Sequence, residues 1–547
     1  MATSEAVLTS TAQGNASKID VRTGALISSI LTLFAIVIHG YHPYAEDGGL
    51  YLAGVKRVLD PSLYPAFSGF VTTHLRLSLF APFVAGIVRS TNIPLMFAMF
   101  LIYAGTTWMT LYAGLRIAAC CFASRKSSVG AVVLLALTLT MPIAGTSLMM
   151  MDPYVTARSF STPCGLLAIA AVLELVAAFR ERRKFSVSTA VTGMFGLVVA
   201  ALMHPLMGAY TLACIVILIC LCIHRASLRF AVILGLCSFA FGIAAAMESL
   251  AHVQSPDYAL VAHTRTYWFL SRWTWYEMMG LFGPILTLFA LHRRTANSLP
   301  VAKPYGELIS KIAWMCAITG TIAVIIAACF AHQNSRSFLV ARCQPLRVYL
   351  DIYVLMVLAL GAFLATHVLK AHTWRWIMLG AMLAPSMAWV QHATFPASDH
   401  IELPWVAPRN GWEQAFRWIS ANTPPSAVFA MDARYTQAAG EDSQNFRAIA
   451  ERSSLPDYEK DGGVASISPD FTSQWLIGQE AQANLNEANE DGVRQLKAYG
   501  VTWVVLPAHA PALRNCAYRN DAVKVCELPQ ASDVSEPVAR PVAFRLR

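Results

Sequence analysis

ALISSILTLFAIVIHGYHPYAEDGG, residues 25–49, decides how the rest of the chain is read. With its flanks it gives an apolar run over 23–40, close to the ~20 residues needed to cross a bilayer. The run follows Lys18 and Arg22 as a signal peptide would, but no small-x-small cleavage site ends it, so it reads as a retained helix. Just beyond it stand two carboxylates, Glu46 and Asp47, and then Gly48-Gly49. Ionised groups are costly in hydrocarbon, so this acidic pair belongs at a membrane surface.

The whole chain has the same character. Of 547 residues, 56% are hydrophobic and only 13% charged, against about a quarter charged in ordinary soluble domains. Further apolar runs lie near 92–115, 129–150, 160–179, 187–203, 205–223, 229–250, 276–292, 312–331, 348–368 and 374–394, for eleven expected transmembrane helices. Leu77–Val88 is shorter and contains Pro82, and is expected to lie in the interface or re-enter. With the N-terminus in the cytoplasm, eleven spans put Arg116/Arg125/Lys126, Arg180/Arg182/Arg183/Lys184, Arg225/Arg229, Arg293/Arg294/Lys303/Lys311 and Lys370/Arg375 inside, as the positive-inside rule requires. Counting 77–88 as a span would put the first two clusters outside. Trp268, Trp273, Trp275 and Tyr276 fit an aromatic belt at an outer boundary.

Three regions follow: a cytoplasmic tail (1–22), a helical membrane domain (23–395) with a first outer loop over 41–91, and an extracytoplasmic α/β domain (396–547). Residues 1–395 hold 27 Lys/Arg against 13 Asp/Glu, and 396–547 hold 14 against 19. The net charge of +9 therefore reflects membrane topology and gives no reason to expect nucleic acid. In the last region, Trp412–Ser420 and Glu480–Tyr499 read as helices, Ala427–Met431 and Val501–Leu506 as buried strands, and the last fifteen or so residues as frayed. Most of the twelve cysteines lie in apolar runs, as small hydrophobes. Cys516 and Cys526 sit together in the polar region, where an oxidising compartment would permit a disulfide.

Eleven spans also gather polar residues on one side. The first outer loop carries Glu46 and Asp47, the second Asp152 and then Arg158, the third His204-Pro205, and the fifth Arg336, Arg342 and Gln344-Pro-Leu-Arg347. Arginine binds phosphate oxygens bidentately and keeps its charge in low dielectric. Acids facing such arginines at a membrane edge suit transfer from a lipid phosphate, with Asp47 deprotonating or orienting an acceptor hydroxyl. A phosphate departs as an anion and needs no dedicated general acid, unlike the leaving group of a glycoside hydrolase. The plainer alternatives are that Asp47-Gly-Gly is a turn or cap, His204 an interfacial histidine and Arg347 a snorkelling anchor. Glu451-Arg452 and Asp457-Tyr-Glu-Lys460 read as solvated charge, and Glu248 and Asp351 as ionisable residues at membrane-helix edges.

The order of one N-terminal helix, a long outer loop opening Glu46-Asp47-Gly48, a second outer acid at Asp152, many further helices and an outer C-terminal domain resembles the GT-C superfamily of polyprenyl-phosphate-sugar glycosyltransferases. That group includes protein O-mannosyltransferases, oligosaccharyltransferases and lipid A aminoarabinose transferases. Gln344-Pro-Leu-Arg347 and the tail from Trp412 look similar to bacterial members. The resemblance implies a multi-pass protein of the bacterial inner membrane that transfers sugar from a polyprenyl-phosphate donor to a protein, glycan or lipid acceptor. It gives catalytic roles to Asp47, with Glu46 beside it, and to Asp152. From the residues themselves, Arg158, Arg336 or Arg347 is expected to hold the donor phosphate, with His204 and Gln344 as further candidates. The resemblance leaves a divalent cation open; Asp47 and Asp152 are hard oxygen ligands suited to Mg or Mn. The competing classes are a transporter or flippase of a lipid-linked or anionic substrate, which would carry ionisable groups at mid-membrane, and a non-catalytic cell-envelope assembly factor, which has no need of converging acids.

Overall fold

A computed structural model describes residues 19–184, 186–298, 303–483, 485, 490–511 and 515–528. Most of the expected cytoplasmic tail and the expected frayed C-terminus lie outside them.

The first apolar run is the helix Val21–His39, started by Asp20, whose side chain accepts from Thr23 N. It stops at Gly40, where φ is +74° and an added Cβ would stand 2.3 Å from His400 O. Only glycine suits both demands. Among the described residues, six helices are long and apolar enough to cross a membrane: Val21–His39, Leu95–Cys121, Ala157–Arg180, Ala226–Leu250, Glu307–Phe330 and the broken Leu339–Leu369. Val187–Met203 and Pro205–Cys220 are apolar but shorter. Trp275–Ser298 and Thr373–Thr394 are also helical.

The expectation of eleven full spans is thus not confirmed by helix length and apolar character together. The run over 129–150 departs most, since its helix, Arg125–Leu137, ends at Thr138. Beyond it Leu139–Met151 folds back on itself, with Ile143 N donating to Leu148 O and Met151 N to Leu139 O. Thr138, Thr140, Pro142 and Gly145 disfavour helix there, and local pairing satisfies the backbone inside the bundle. Of the four residues assigned to an aromatic belt, Trp275 and Tyr276 are exposed but Trp268 is buried.

Contacts separate the two ends of the bundle. At one, Arg180 pairs with Glu307, Lys311 donates to Leu221 O (2.8 Å) and Ser127 bonds Thr366 (2.8 Å). At the other, His42 N donates to Pro153 O, Leu79 N to Leu202 O and Gln254 N to Arg336 O. These are the sets that charge counting assigns to opposite sides. Gly69–Leu77 and Phe80–Thr91 meet at 92° and stay at the second end: Gly69 abuts Phe471, and Arg89 donates to Val58 O.

The C-terminal region carries a five-stranded sheet, β1 Val428–Ala430, β2 Ser453–Ser454, β3 Trp503–Pro507, β4 Cys516–Arg519 and β5 Val523–Glu527, in the order β2-β1-β3-β5-β4. β1 pairs in parallel with β2 and β3, whereas β5 runs antiparallel to β3 and β4. Cys516 and Cys526 face each other across β4 and β5 and form a disulfide. Gly411–Asn422 is the expected amphipathic helix, capped by Asn410. The helix expected over Glu480–Tyr499 is instead divided between Thr472–Gln482 and Glu490–Ala498.

This region grips the loop that follows the first helix. Tyr41 N donates to His400 O and Glu402 N to Tyr41 O, His42 Nδ1 meets Glu402 Oε1 at 2.8 Å, Tyr64 Oη donates to Arg447 O and Lys56 pairs with Glu451.

Candidate functional site

Glu46 and Asp47 form the first turn of the helix Glu46–Leu59, where acids favour the positive end of the helix dipole. The two glycines that follow allow close approach on both sides. A Cβ on Gly48 would lie 2.9 Å from Tyr154 Cβ, and one on Gly49 2.3 Å from Asn445 Cβ and 2.6 Å from Tyr44 O. The acids are thus wedged between the second outer loop and the C-terminal region.

From the second outer loop, Thr156 and Ser159 form a capping box that starts Ala157–Arg180 and sets the rotation of Arg158. The Arg158 guanidinium bridges the two acids. Nη1 donates to Asp47 Oδ2 (3.1 Å), while Nη2 and Nε donate to Asp152 Oδ2 (2.9 and 3.3 Å). Asp47 remains 39% exposed and Asp152 only 7%. On the other flank of Asp47, Lys460 pairs with Glu46, stands 3.4 Å from Glu459 and 4.0 Å from Asp47 Oδ1.

These groups border a cavity of about 370 Å³. Asp47, Arg158 and Lys460 meet Tyr51, His204, Gln344 and Arg347 across it, with Leu77, Met203 and Leu206 on its apolar side. Gln344 joins the short helices Leu339–Cys343 and Pro345–Val348 with φ +48°, a left-handed conformation unusual for glutamine. The break presents Arg342 and Arg347 to the cavity. Their Nε atoms and Gln344 Oε1 are buried without hydrogen-bond partners among the described residues.

Electrostatics divide the two acids. Burial pushes Asp47 up, but Arg158, Lys460 and Arg347 together outweigh it and hold the carboxyl well below the ordinary carboxylate range. For Asp152 burial prevails over Arg158, with Asp47 adding to it, and the carboxyl is raised. Burial also opposes the Lys460 charge, but Glu46, Glu459 and Asp47 more than compensate and raise the ammonium.

The structure therefore gathers Glu46, Asp47, Arg158, His204, Gln344 and Arg347 at one cavity and leaves two expected residues off it. Asp152 lies behind Arg158. Arg336 is exposed and its backbone N–H donates to Glu248, which also binds Ser335 and Ser337; this cap turns the loop away. Nor does the donor set fit a divalent cation on Asp47 and Asp152, because a guanidinium occupies the space between them. Among the described residues no group of three or more His, Cys, Asp or Glu could hold a metal ion.

No family model and no curated protein matches the chain. Two solved structures of the Archaeoglobus fulgidus oligosaccharyltransferase are similar. The apo form gives a TM-score of 0.47 at 12% identity over 88% of this chain and 69% of that one. The complex with zinc and sulfate gives 0.41 at 13% over 89% and 68%.

Sequence reading missed Lys460 and Arg265 and ranked Arg342 below its neighbours. Arg265 donates to Glu459 O (2.8 Å) and Tyr458 O (3.3 Å), holding the Lys460 turn against the membrane helices. The segment expected to be solvated charge is instead internal, since Asp457 and Arg452 are buried. Asp351, also buried, accepts from Thr211.

Proposed function

We propose that this chain is a membrane glycosyltransferase that moves a sugar from a polyprenyl-phosphate donor to an acceptor hydroxyl at the outer membrane face. One observation carries the reading: a single cavity in which the carboxylate of Asp47 faces Arg342 and Arg347, whose buried Nε atoms lack partners among the described residues. Unpaired buried donors are rare, and a phosphate would satisfy these with charge-assisted hydrogen bonds. The polyprenyl chain would leave past Leu77, Met203 and Leu206 into lipid.

In the reaction the acceptor oxygen bonds to the anomeric carbon, and the bond from that carbon to the phosphate oxygen breaks with its electron pair staying on phosphate. The hydroxyl proton passes to Asp47. Held ionised by Arg158 and Lys460, Asp47 accepts the hydroxyl's hydrogen bond throughout the neutral range. A carboxylate so stabilised is a weak base, so the proton moves late, once bond formation has acidified the hydroxyl. The arginines meet the charge that develops on the departing phosphate. Arg158 serves Asp47 in this reading, and Arg342 and Arg347 serve the donor. A transporter finds less support, because Asp351, the buried acid within a membrane helix, is bonded to Thr211.

Transfer from radiolabelled polyprenyl-phosphate sugars in proteoliposomes tests this reading. Asp47→Asn is expected to slow transfer by roughly a hundred- to ten-thousand-fold while donor binding persists. Arg347→Ala should weaken polyprenyl-phosphate binding by about ten- to a hundredfold, since it removes a charged hydrogen bond already made in the ground state. Undiminished transfer by Asp47→Asn, or unchanged donor affinity in Arg347→Ala, would refute the proposal.

A further inference from the structure

A second cavity, of about 340 Å³, lies between the end of the last membrane helix, at Thr394–Pro396, and the loop 436–445 of the C-terminal region. It shares three lining residues with the first: Glu46, Glu459 and Lys460. Those three are bonded through the Lys460 ammonium, so a single ion-paired partition, one residue from Asp47, separates the chambers.

The two chambers differ in chemistry. The first has arginines and an apolar side. The second is lined by neutral hydrogen-bonding groups, Thr436, Gln437, Ser443, Gln444 and Asn445, and floored by Ala438, Ala439 and Gly440. Apart from Lys460 its charges are acidic, including Asp442, whose Oδ2 is occupied by the Ala397 and Ser398 amides. Gln444 is 5% exposed and its Oε1 has no partner among the described residues, although its Nε2 donates to Glu402 (3.2 Å). An unpaired acceptor so deeply buried calls for a donor from a water or a ligand.

We propose that this second chamber binds a neutral, polyhydroxylated acceptor, an oligosaccharide end, and presents one hydroxyl past the Glu46–Lys460 partition to Asp47. The inference rests on the glycosyltransferase reading and names its acceptor. The Gln437 amide can both donate and accept, the Thr436 and Ser443 oxygens, whose protons go to Glu459 and Tyr435 O, can accept, and the Asn445 amide, whose oxygen caps Ala448, can donate, a mixture that suits a hydroxyl-rich ligand. The acidic balance repels an anionic acceptor. A peptide would want apolar side-chain pockets or a free strand edge, and the small residues and amides of this lining supply neither.

The test uses the full chain in lipid nanodiscs and saturation-transfer NMR. The probes are neutral gluco-, manno-, galacto- and N-acetylglucosamine oligosaccharides, trigalacturonate as an anionic counterpart, and a Ser/Thr-rich uncharged peptide. Undecaprenyl phosphate binding is measured separately. At least one neutral oligosaccharide should show saturable binding. Ala439→Trp, which fills the chamber, should abolish it, and Gln437→Leu, on an exposed side chain, should weaken it several-fold. Both variants should bind undecaprenyl phosphate as the parent does. Silence from all neutral oligosaccharides, equal binding of trigalacturonate, preference for the peptide, or binding unchanged by both substitutions overturns the acceptor assignment. If undecaprenyl phosphate itself fails to bind, the glycosyltransferase reading falls, whichever result the saccharides give.

Discussion

Glu402→Gln probes how the acidic loop is held. Glu402 faces His42 just upstream of Glu46 and Asp47, and its side chain is 10% exposed. Burial raises its carboxyl from 4.5 to about 8, against a hydrogen bond from Gln444. Burial also lowers His42 to about 4. Between those values both groups are neutral, so their 2.8 Å contact is a hydrogen bond from a carboxylic acid and not an ion pair. The folded acid keeps its proton up to about pH 8, whereas the unfolded chain loses it above about 4.5. For Glu402 the unfolded state binds fewer protons in that window, so this group's contribution is greatest at the acid end and falls as pH rises. With up to about 1.4 kcal/mol per pH unit, the loss between pH 5 and 8 from this one group is about 3 kcal/mol.

A glutamine reproduces the neutral acid's shape and its donor to His42 but does not titrate. It gives up the bond from Gln444, so the variant should be within about 1 kcal/mol of the parent at pH 5. It should lack this group's pH dependence and be the more stable protein at pH 8. Amide exchange over Tyr41–Asp47 and Ser398–Glu402, comparing the two proteins at each pH, reads the difference directly. Glu413, which burial raises to about 7, and His42, whose lowered value opposes Glu402 below about pH 6.5, titrate in both proteins and cancel. Parallel stability curves for parent and variant from pH 5 to 8 would refute the reasoning.

Asp152→Asn should lower transfer far less than Asp47→Asn. It replaces the carboxylate that accepts from the Arg158 guanidinium by a neutral amide oxygen, a weakening of about 1–2 kcal/mol or roughly five- to thirtyfold, and should leave acceptor KM unchanged; a loss equal to that of Asp47→Asn would mean Asp152 meets substrate itself. Gly49→Ala has no room beside Asn445 and Tyr44 O; overpacking of this kind costs about 1–3 kcal/mol, and limited proteolysis should find the first outer loop released, whereas an unchanged digestion pattern would contradict the wedge. Cysteines placed at Arg125 and Gly440 should be labelled by an impermeant reagent from opposite sides of an intact membrane; labelling of both from one side would overturn the topology.

Topology was the most legible part of the site. Asp47, Arg158, His204, Gln344 and Arg347 are spread over 300 positions, and positive-inside counting alone predicted a common face for them; the structure lines one cavity with them. Hydropathy was less informative about helices. It registers the transfer of side chains and not backbone geometry, so 129–150 read as a span although Pro142 and its neighbours fold back. Local caps decided two more residues. The Glu248 bonds turn Arg336 outward, and the Thr156–Ser159 box aims Arg158 at Asp152. Lys460 was out of reach, because its partner Glu46 lies 414 positions away and nothing in Asp-Tyr-Glu-Lys marks one lysine as buried.

The Glu46-Asp47-Gly48-Gly49 stretch shows why so short a motif can be so constrained. Glu46 adopts φ +49° and pairs with Lys460 of the C-terminal region. Asp47 binds Arg158 of the second outer loop. Gly48 admits Tyr154 from that loop, and Gly49 admits Asn445 from the C-terminal region. Two of the four residues therefore answer to each neighbour, the inner pair to the loop before Arg158 and the outer pair to the C-terminal region. The position of the Asp47 carboxylate is set jointly by the membrane helices and by the C-terminal region. The latter thereby becomes part of the site's geometry. Substitutions at Asn445 or Arg265, far from Asp47 in sequence, should then disturb transfer by displacing that carboxylate, because a misplacement of about 1 Å is enough to cost on the order of a hundredfold in rate.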